Sequence, residues 1–220
     1  MNNISFNRYS PSQENGELLM KKIANCYRSV FADPPWNEWL RCPTCSKYWG
    51  ISEWKQLRSS NYKHCGNQVE EFWPQQKVIS DIKLELTSDS SCWIANNSKV
   101  IGFCWGYETD INHLEKKLEI ELQNVMSHKF GMLGPIAYQD EIGVLSRYRG
   151  QGIAKEMFIR RLKDFLARGL DIGIVRTRFE PEPSITYLWY KHLGYEIIAK
   201  YPDGRVVLAR NLKFLNKLFM

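Results

Sequence analysis

The segment of this chain that most restricts its fold covers residues 140–168 and reads DEIGVLSRYRGQGIAKEMFIRRLKDFLAR. It begins with a short apolar run typical of a strand, whose members are Ile142, Val144 and Leu145. A turn with two glycines follows. After the turn, apolar residues recur at one-turn and two-turn helical spacing, and they are Ile153, Met157, Phe158, Leu162, Phe165 and Leu166. The pattern predicts a strand, a tight turn and an amphipathic helix that stops at Gly169.

Basic residues occupy much of the helix outside its apolar face, namely Lys155, Arg160, Arg161, Lys163 and Arg168. Where a turn meets a helix, unpaired N–H groups point outward and the helix dipole adds partial positive charge. Gly150 and Gly152 carry no side chains that would keep a phosphate from these N–H groups. Arg147 and Arg149 add mobile positive charge at the rim. The sequence therefore predicts a phosphate-binding turn.

Comparison of the turn with known phosphate-binding motifs indicates which phosphate-containing ligand it could bind. The turn lacks the G-x-x-x-x-G-K-[ST] motif of a Walker loop, and Lys155 stands where a dinucleotide-binding fingerprint has its third glycine. The turn fits R-x-x-G-x-G, read from Arg147 to Gly152 and followed by Ile153 and Ala154. With the strand before it and the helix after it, this motif resembles the acyl-CoA pyrophosphate loop of the GNAT superfamily of N-acetyltransferases. The alternative is an ordinary strand-turn-helix connection with solvated arginines.

The resemblance implies that this region binds acetyl-CoA as a co-substrate. Ile142, Gly143 and Val144 stand where the family usually has an apolar-small-apolar triplet. Pro183 stands where the family often has an asparagine that contacts the cofactor, and Ser184 could substitute for it. The implied cofactor-binding residues are Ile142, Gly143, Val144, Arg147, Arg149, Gly150, Gln151, Gly152, Ile153, Ala154 and Ser184.

The order of the predicted elements indicates an α/β protein. The elements predicted before the turn are a strand (4–9), a helix (17–31), a β-hairpin (92–95 and 100–107) and a helix (110–125). Residues 77–85 fit either a short helix or a strand. The elements predicted after the central helix are a strand (171–179), a helix with Ser184 as N-cap and a hairpin (195–201 and 205–210). The resemblance implies a mixed, mainly antiparallel central sheet flanked by helices, with central strands that diverge near Gly143 and Val144.

Length and composition fit one domain that spans residues 1–220 and buries its own core. The net charge of +6 suits a polyanionic ligand such as coenzyme A. Residues 1–16 lack the apolar core of a signal peptide, and no uncharged apolar run approaches membrane-spanning length. We therefore expect a cytoplasmic protein without a membrane partner, whose six cysteines are thiols or metal ligands rather than disulfides.

Residues 36–74 differ in character from their surroundings, and we interpret them as a cysteine-rich insertion within the domain. Cys42 and Cys45 form a C-x-x-C turn, on which two thiolates can reach one tetrahedral ion. His64 and Cys65 follow ahead of a glycine, at a spacing that suits a small zinc knuckle. One interpretation is therefore a structural zinc ion held by these four residues.

Other interpretations of the insertion remain open. The side chains of adjacent residues usually diverge, so either His64 or Cys65 could lie outside the ligand set. Cys26, an acidic side chain or water would then supply the fourth ligand. The C-x-x-C turn also fits a vestigial knuckle without metal, or a redox pair.

A nucleic-acid-binding module is a further interpretation of the insertion. It would use basic neighbours of the knuckle, namely Arg41, Lys47, Lys55, Arg58 and Lys63. The positive charge of that group is diluted by Glu38, Glu53, Glu70 and Glu71. We therefore rank nucleic acid last among the possible partners.

The resemblance also assigns chemistry to Tyr190. Direct acetyl transfer to an amine requires that the amine lose a proton, that the oxyanion be stabilised and that the leaving sulfur be protonated. Tyr190, ahead of Gly194 and Tyr195, matches the family's tyrosine that can act as general acid. Its alternative is a core aromatic on an amphipathic helix. By the same resemblance, the backbone N–H of Val144 would face the thioester carbonyl.

A general base is harder to assign than the acid. Glu141 and Asp140 lie at the start of the cofactor strand, and Glu108 ends the previous strand. Each of the three also fits a solvated carboxylate, and a water chain could replace a dedicated base; Glu141 is our candidate. The acceptor amine belongs to a small molecule, a protein or a peptide. The alternative function is a non-catalytic acetyl-CoA-binding protein.

Overall fold

The computed structural model describes residues 4–57, 62–87, 89–131 and 134–216. Its helices, in chain order, are α1 (Gly16–Ala32), α2 (Ile51–Leu57), α3 (Gln75–Glu85), α4 (Ile111–Leu118), α5 (Gln123–Phe130), α6 (Ile153–Ala167), α7 (Ile185–His192) and α8 (Leu212–Asn216). Its strands are β1 (Ser5–Arg8), β2 (Leu40–Arg41), β3 (Tyr48–Trp49), β4 (Lys63–His64), β5 (Asn67–Gln68), β6 (Glu70–Glu71), β7 (Ser90–Asn97), β8 (Lys99–Thr109), β9 (Ile136–Val144), β10 (Ile172–Arg178), β11 (Glu196–Lys200) and β12 (Arg205–Asn211). Within these ranges no helix is both long and apolar enough to cross a membrane.

The main sheet is mixed and mostly antiparallel, with the strand order β1-β7-β8-β9-β10-β12-β11. β1 pairs antiparallel with β7, and β12 pairs antiparallel with both β10 and β11. β9 and β10 pair in parallel at Ala137–Gly173 and Tyr138–Ile174. Among the described residues this ladder has no further pair, although β10 continues to Arg178, so the two strands separate. The fold class predicted from the sequence is confirmed.

The chain divides into two compact units that share several elements of the sheet. The first unit comprises Met1–Ser88, Trp93–Cys104 and Ile142–Met157. The second comprises Asp89–Cys92, Trp105–Glu141 and Phe158–Met220. Each unit has its own core.

In the first unit, β7 and β8 pack against the end of β9 and the first turn of α6. The buried members of this cluster are Ala95, Ile101, Cys104, Val144, Ile153 and Met157. Tyr27 of α1 contacts Phe103 of β8, with ring centroids 5.6 Å apart. Val144, just before the turn between β9 and α6, and Ile153, just after it, are both buried in this core. The core therefore fixes where the turn starts and ends.

The insertion also lies in the first unit and consists of very short elements. Its sheets have the strand orders β3-β2-β6 and β4-β5, and every strand in them has two residues. Its apolar cluster consists of Leu40, Cys42 and Trp49, with Trp39, Trp54, Tyr62 and Val69 packed against it. An ion pair of 2.7 Å between Arg28 of α1 and Glu71 of β6 fastens the insertion to the first helix.

In the second unit, α4 and α5 pack on β9, β10 and β12. The buried members of this cluster are Ile111, Leu114, Leu118, Leu122, Met126, Ile136, Tyr138, Ile172, Ile174, Val207 and Ala209. The prediction of one helix over residues 110–125 was wrong. Glu119 adopts a left-handed conformation with φ 54° and ends α4. The carboxylate of Glu115 then accepts hydrogen bonds from the backbone N–H groups of Leu122 (2.5 Å) and Gln123 (2.7 Å), so α5 has a new start.

The other predicted elements agree with the structure within a few residues. The predicted first strand is β1, the predicted first helix is α1, and the predicted hairpins are β7–β8 and β11–β12. Residues 77–85, for which helix and strand were both open, belong to α3. Ser184 caps α7 as predicted, because its side chain accepts a hydrogen bond from the N–H of Tyr187.

Candidate functional site

The turn between β9 and α6 has the backbone conformation that its glycines allow. Ser146–Tyr148 form a 3₁₀ turn, and Gly150 and Gly152 both adopt φ of +76°. Residues with a side chain rarely adopt this left-handed backbone conformation, because the Cβ atom clashes with the backbone. Glycine has no Cβ and adopts it without that cost. Apart from the immediate chain neighbours, no atom of the described residues lies within 4 Å of where a Cβ would stand on either glycine. The turn therefore presents open space directly at the N-terminus of α6.

The turn is fastened by polar contacts to the segment after α1. Arg149 donates hydrogen bonds to the carbonyl oxygens of Val144 and Pro34, both over 3.0 Å. The hydroxyl of Ser146 donates to a carboxylate oxygen of Asp33 over 2.7 Å. The expectation of mobile charge was therefore wrong for Arg149, whose guanidinium is bound to two backbone oxygens. The guanidinium of Arg147 lies over the ring of Tyr148, 4.8 Å from its centroid.

The predicted Ile142-Gly143-Val144 triplet forms the end of β9, and its glycine is explained by packing. A Cβ on Gly143 would stand 2.5 Å from the ring of Phe103. A Cβ on Gly102 would stand 3.1 Å from the carbonyl oxygen of Gly143, so the two strands approach closely here. The N–H of Leu145 donates to the carbonyl oxygen of Ile101 over 2.9 Å. The structure thus ties the strand end to β8 immediately before the turn.

Tyr190 lies in the second unit and is fully buried. Its hydroxyl accepts a hydrogen bond from Arg161 Nη2 over 3.2 Å and donates one to Gln139 Oε1 over 3.4 Å. The ring packs edge-on against Tyr195, with centroids 4.8 Å apart. Gln139 Nε2 in turn donates to the Tyr195 hydroxyl over 2.6 Å. Tyr190 is therefore part of a buried hydrogen-bond network, and its role as general acid stays a prediction.

Arg161 organises this network, and its burial contradicts the prediction that it lies outside the apolar face. Its guanidinium donates to the carbonyl oxygens of Trp105 (2.7 Å) and Glu141 (3.1 Å) and to Gln139 Oε1 (2.9 Å). Its relative exposure is 1%. The spacing could have shown this, because position 161 lies four residues after Met157 and four before Phe165, on the apolar stripe. Gln139 was missed because nothing in its local sequence marks it as buried.

The three carboxylates considered as general base are Asp140, Glu108 and Glu141, and they lie in different surroundings. Asp140 forms an ion pair of 2.7 Å with Lys117 and accepts a hydrogen bond from the Tyr107 hydroxyl over 3.2 Å. Glu108 forms an ion pair of 2.5 Å with Arg168. Glu141 is half-buried, and its backbone oxygen is one of the acceptors of Arg161. Asp140 and Glu108 thus take part in ion pairs, and the role of Glu141 as general base stays a prediction.

Ser184, which was predicted to contact the cofactor, uses its hydroxyl as a helix cap. The oxygen accepts from the N–H of Tyr187 over 3.0 Å and shares a second hydrogen bond with the Thr177 hydroxyl over 2.9 Å. These bonds start α7 six residues, or nearly two helical turns, before Tyr190. A cofactor contact by Ser184 stays a prediction.

The four predicted metal ligands converge in the insertion. The ligand atoms of Cys42, Cys45, His64 and Cys65 all lie within 4.8 Å of one another. A hydrogen bond from the backbone N–H of Cys45 lowers the pKa of the Cys42 thiol to about 6. The hydrogen bond with the Cys45 side chain raises the pKa of the Cys65 thiol to about 11. The two shifts have different causes: backbone N–H donation favours the thiolate form of Cys42, whereas the neighbouring cysteine side chains disfavour a thiolate at Cys65.

Two of the basic neighbours of the knuckle make contacts within the insertion. Arg41 pairs with Glu70 over 2.8 Å, and the ammonium of Lys47 lies over the ring of Trp49, 5.6 Å from its centroid. Arg58, also named as a possible nucleic-acid contact, lies outside the described residues. These contacts weaken the nucleic-acid interpretation.

One known protein family matches the part of the chain that contains the turn between β9 and α6. The family described as the GNAT acetyltransferase domain matches residues 88–197, which is half of the chain and includes both the turn and Tyr190. The chain belongs to the GNAT acetyltransferase family. Membership supports acetyl transfer in general and does not name an acceptor. No curated protein sequence matches the chain.

Solved structures share the fold at low sequence identity. A GNAT-family protein from Desulfovibrio desulfuricans is 10% identical, with a TM-score of 0.52 over 96% of this chain and 99% of that chain. An acetyltransferase from Streptococcus agalactiae is 12% identical, with a TM-score of 0.53 over 96% and 99%. Ard1 from Thermoplasma volcanium is 14% identical, with a TM-score of 0.50 over 94% and 97%. These similarities establish the fold alone.

Proposed function

We propose that this protein is an N-acyltransferase that moves an acetyl group from acetyl-CoA directly to an amine. The observation that carries the proposal is the pair of left-handed glycines, Gly150 and Gly152, which leave open space at the start of α6. A backbone bent in this way at a helix N-terminus binds anions, because the first N–H groups of the helix lack partners within it.

The helix and its surroundings favour a phosphate ligand. α6 has 15 residues, so its dipole places partial positive charge at the turn. Arg149 holds the turn in shape, and Arg147 remains at its edge with its charge stacked on Tyr148. We assign the pyrophosphate of acetyl-CoA to the backbone of Gly150, Gln151, Gly152, Ile153 and Ala154. The net charge of +6 supports a polyanionic ligand.

The proposed reaction forms a C–N bond and breaks a C–S bond. The amine nitrogen attacks the thioester carbonyl, and the proton that it loses goes to Glu141 or to water. The N–H of Val144 would stabilise the oxyanion, as such donors do for acyl transfer. The departing thiolate takes a proton from Tyr190, a role that rests on the family resemblance. Holding both substrates together supplies much of the barrier reduction.

The direct test is a screen for CoA release. Purified protein with acetyl-CoA is offered small-molecule amines, aminoglycosides, peptides with free N-termini and lysine peptides, and released thiol is measured with a chromogenic reagent. We expect one class to release CoA faster than the amine-free control, with acetylated product confirmed by mass spectrometry. Tight acetyl-CoA binding without release in any class would contradict the proposal.

That second outcome would favour the alternative function, a non-catalytic acetyl-CoA-binding protein. The complete burial of the Tyr190 hydroxyl between Gln139 and Arg161 is the observation that supports this alternative. A buried phenol serves equally well as a packing residue. Turnover measurements on variants of this network, described in the Discussion, separate the two functions.

A further inference from the structure

We propose that Cys42, Cys45, His64 and Cys65 bind one zinc ion that holds the insertion together. The four side chains come from two separate turns. The cysteines of the C-x-x-C turn lie between β2 and β3, and the other two residues lie at the tip of the β4–β5 hairpin. Two short turns that face each other with two ligands apiece are the common plan of small structural zinc sites.

The distances between the ligand atoms fit a tetrahedral ion. Thiolate sulfurs lie about 2.3 Å and imidazole nitrogens about 2.0–2.1 Å from zinc, so a sulfur and a nitrogen on one ion are about 3.5 Å apart. His64 Nδ1 lies 3.5 Å from Cys45 Sγ and 3.3 Å from Cys65 Sγ. The whole set lies within 4.8 Å, compared with about 3.8 Å between two sulfurs on one ion. Shifts of an ångström or less would complete the site.

The backbone explains how the neighbours His64 and Cys65 can both bind. Cys65 adopts φ of +50° and Gly66 φ of +78°, so the chain reverses at Cys65 in a left-handed conformation. This conformation is unfavourable for a residue with a side chain. It turns the Cys65 side chain toward the side on which His64 already lies. The side chains of His64 and Cys65 therefore do not diverge, as those of adjacent residues usually do. Cys26, which is buried in α1, is not needed as a ligand.

Contacts around the ligands also hold the two turns together. The N–H of Thr44 donates to Cys42 Sγ over 3.4 Å, and the N–H of Cys42 donates to the carbonyl oxygen of Lys47 over 2.7 Å. The side chain of Asn67 donates to the hydroxyl of Thr44 over 2.8 Å and so joins the hairpin to the C-x-x-C turn. The His64 ring packs edge-on against Trp49, with centroids 5.2 Å apart. Such outer contacts orient metal ligands and are a regular part of metal sites.

The ligand set selects zinc and a structural role. Three thiolates and one imidazole in a tetrahedral arrangement suit zinc among the common cellular metals. Four protein ligands leave no open coordination position for a substrate or water, so the ion has no part in acetyl transfer. The insertion also needs such a device. In the part of the insertion that the structure describes, each strand has two residues and the buried cluster consists of Leu40, Cys42 and Trp49. Sheets of this size are not stable alone.

The test is metal analysis of the full-length protein, purified without chelators and after addition of Zn²⁺. We expect about one zinc per chain, lost in the variants Cys45→Ser and His64→Ala. Cys26→Ala and His113→Ala are the matched controls, since neither residue belongs to the cluster, and they should retain the metal. Cobalt substitution supplies a second measurement on the wild-type protein, which should show the thiolate charge-transfer and tetrahedral ligand-field bands.

Several results would overturn the proposal. Protein that contains no zinc and takes up neither Zn²⁺ nor Co²⁺ has no such site. A reversible disulfide between Cys42 and Cys45, in protein that takes up no zinc after reduction, would make the C-x-x-C turn a redox pair. Retention of zinc with an unchanged cobalt spectrum in His64→Ala would exclude His64 as the fourth ligand. Metal uptake is also measured on the wild-type protein. The proposal can therefore be tested even if a variant fails to fold.

Discussion

Arg149 and Pro34 are joined by a hydrogen bond of 3.0 Å, although 115 residues separate them in the chain. The same guanidinium donates to the carbonyl oxygen of Val144, so it bridges the strand end before the turn and the segment after α1. Ser146 and Asp33 make a second connection over 2.7 Å. These contacts restrict the conformations of the proposed pyrophosphate turn, which reduces the entropy lost when a ligand binds.

Replacement of this guanidinium should therefore weaken acetyl-CoA binding. In Arg149→Gln both backbone oxygens lose a charged donor, and such hydrogen bonds contribute about 1.5–3 kcal/mol each. We expect the Kd for acetyl-CoA, measured by calorimetry, to rise about ten-fold or more. Lys163→Gln, which removes an exposed charge from the same helix, is the control and should bind normally. Equal affinity of Arg149→Gln and wild type would show that the bridge does not position the turn.

Tyr190→Phe tests the proposed general acid. A general acid contributes about 10²–10⁴-fold, and we expect a loss of this size in kcat with little change in acetyl-CoA affinity. The hydroxyl is also buried and hydrogen-bonded, so unfolding free energy should fall by about 1–3 kcal/mol.

Tyr195→Phe is the matched control for that experiment. It removes a buried hydroxyl that accepts from the same Gln139 side chain over 2.6 Å. We expect a comparable loss of stability with kcat close to that of wild type. If both variants lower kcat equally, the hydroxyl of Tyr190 acts through packing of the core and does not protonate the thiolate.

Arg161 should matter more for stability than any other charged residue of α6. Arg161→Leu leaves the carbonyl oxygens of Trp105 and Glu141 without their buried donor, at a cost of about 1–3 kcal/mol for each. We expect a loss of about 3 kcal/mol or more in urea unfolding. Lys163→Leu, at an exposed position of the same helix, should change stability by less than about 1 kcal/mol. Equal effects of the two variants would contradict the assigned role.

The features that could be predicted from the sequence depend on residues close together in the chain. Most of those that were missed depend on contacts between residues far apart in the chain. The strand, turn and helix predicted within residues 140–168 follow from local periodicity and from two glycines. The structure confirms them, although the strand begins earlier, at Ile136. The burial of Arg161 and Gln139 depends on partners that are distant in the chain. α4 ends early because Glu115 binds amides seven and eight residues further on. Helical spacing places Arg161 on the apolar stripe, but its partners and those of Gln139 lie outside a window of one helix, and the hydrogen bonds of Glu115 leave no mark on the apolar periodicity.

Helix α7 shows the same limit for apolar residues. Ile185 and Leu188 are aliphatic residues of this helix, but they are 71% and 56% exposed. The buried residues of α7 are Tyr187 and Tyr190, which carry hydroxyl groups and rank as less apolar. Which face of a short helix is buried is decided by the sheet on which it packs. For the metal cluster, sequence spacing indicated the ligands, whereas the convergence of His64 and Cys65 depends on the backbone at Cys65.

Removal of zinc should loosen the insertion and spare the turn between β9 and α6. Metal binding at such a site is coupled to local folding, and Trp49 and Trp54 belong to the cluster around it. After chelation we expect a red shift in tryptophan fluorescence and faster amide exchange in residues 36–74, with unchanged exchange in residues 146–156. Simultaneous loss of protection in both segments would show that the insertion and the turn unfold as one unit.

The most direct test of the central claim is the affinity of Gly152→Asp for acetyl-CoA. The substitution places a carboxylate where we expect a phosphate, so calorimetry should detect almost no binding. Gly169→Asp is the matched control, because Gly169 has nearly the same φ (+75°, compared with +76°) and equally open surroundings at the other end of α6. We predict that the control, which suffers the same backbone strain, binds as wild type does. Wild-type affinity in Gly152→Asp would contradict the assignment of the turn as the acetyl-CoA site.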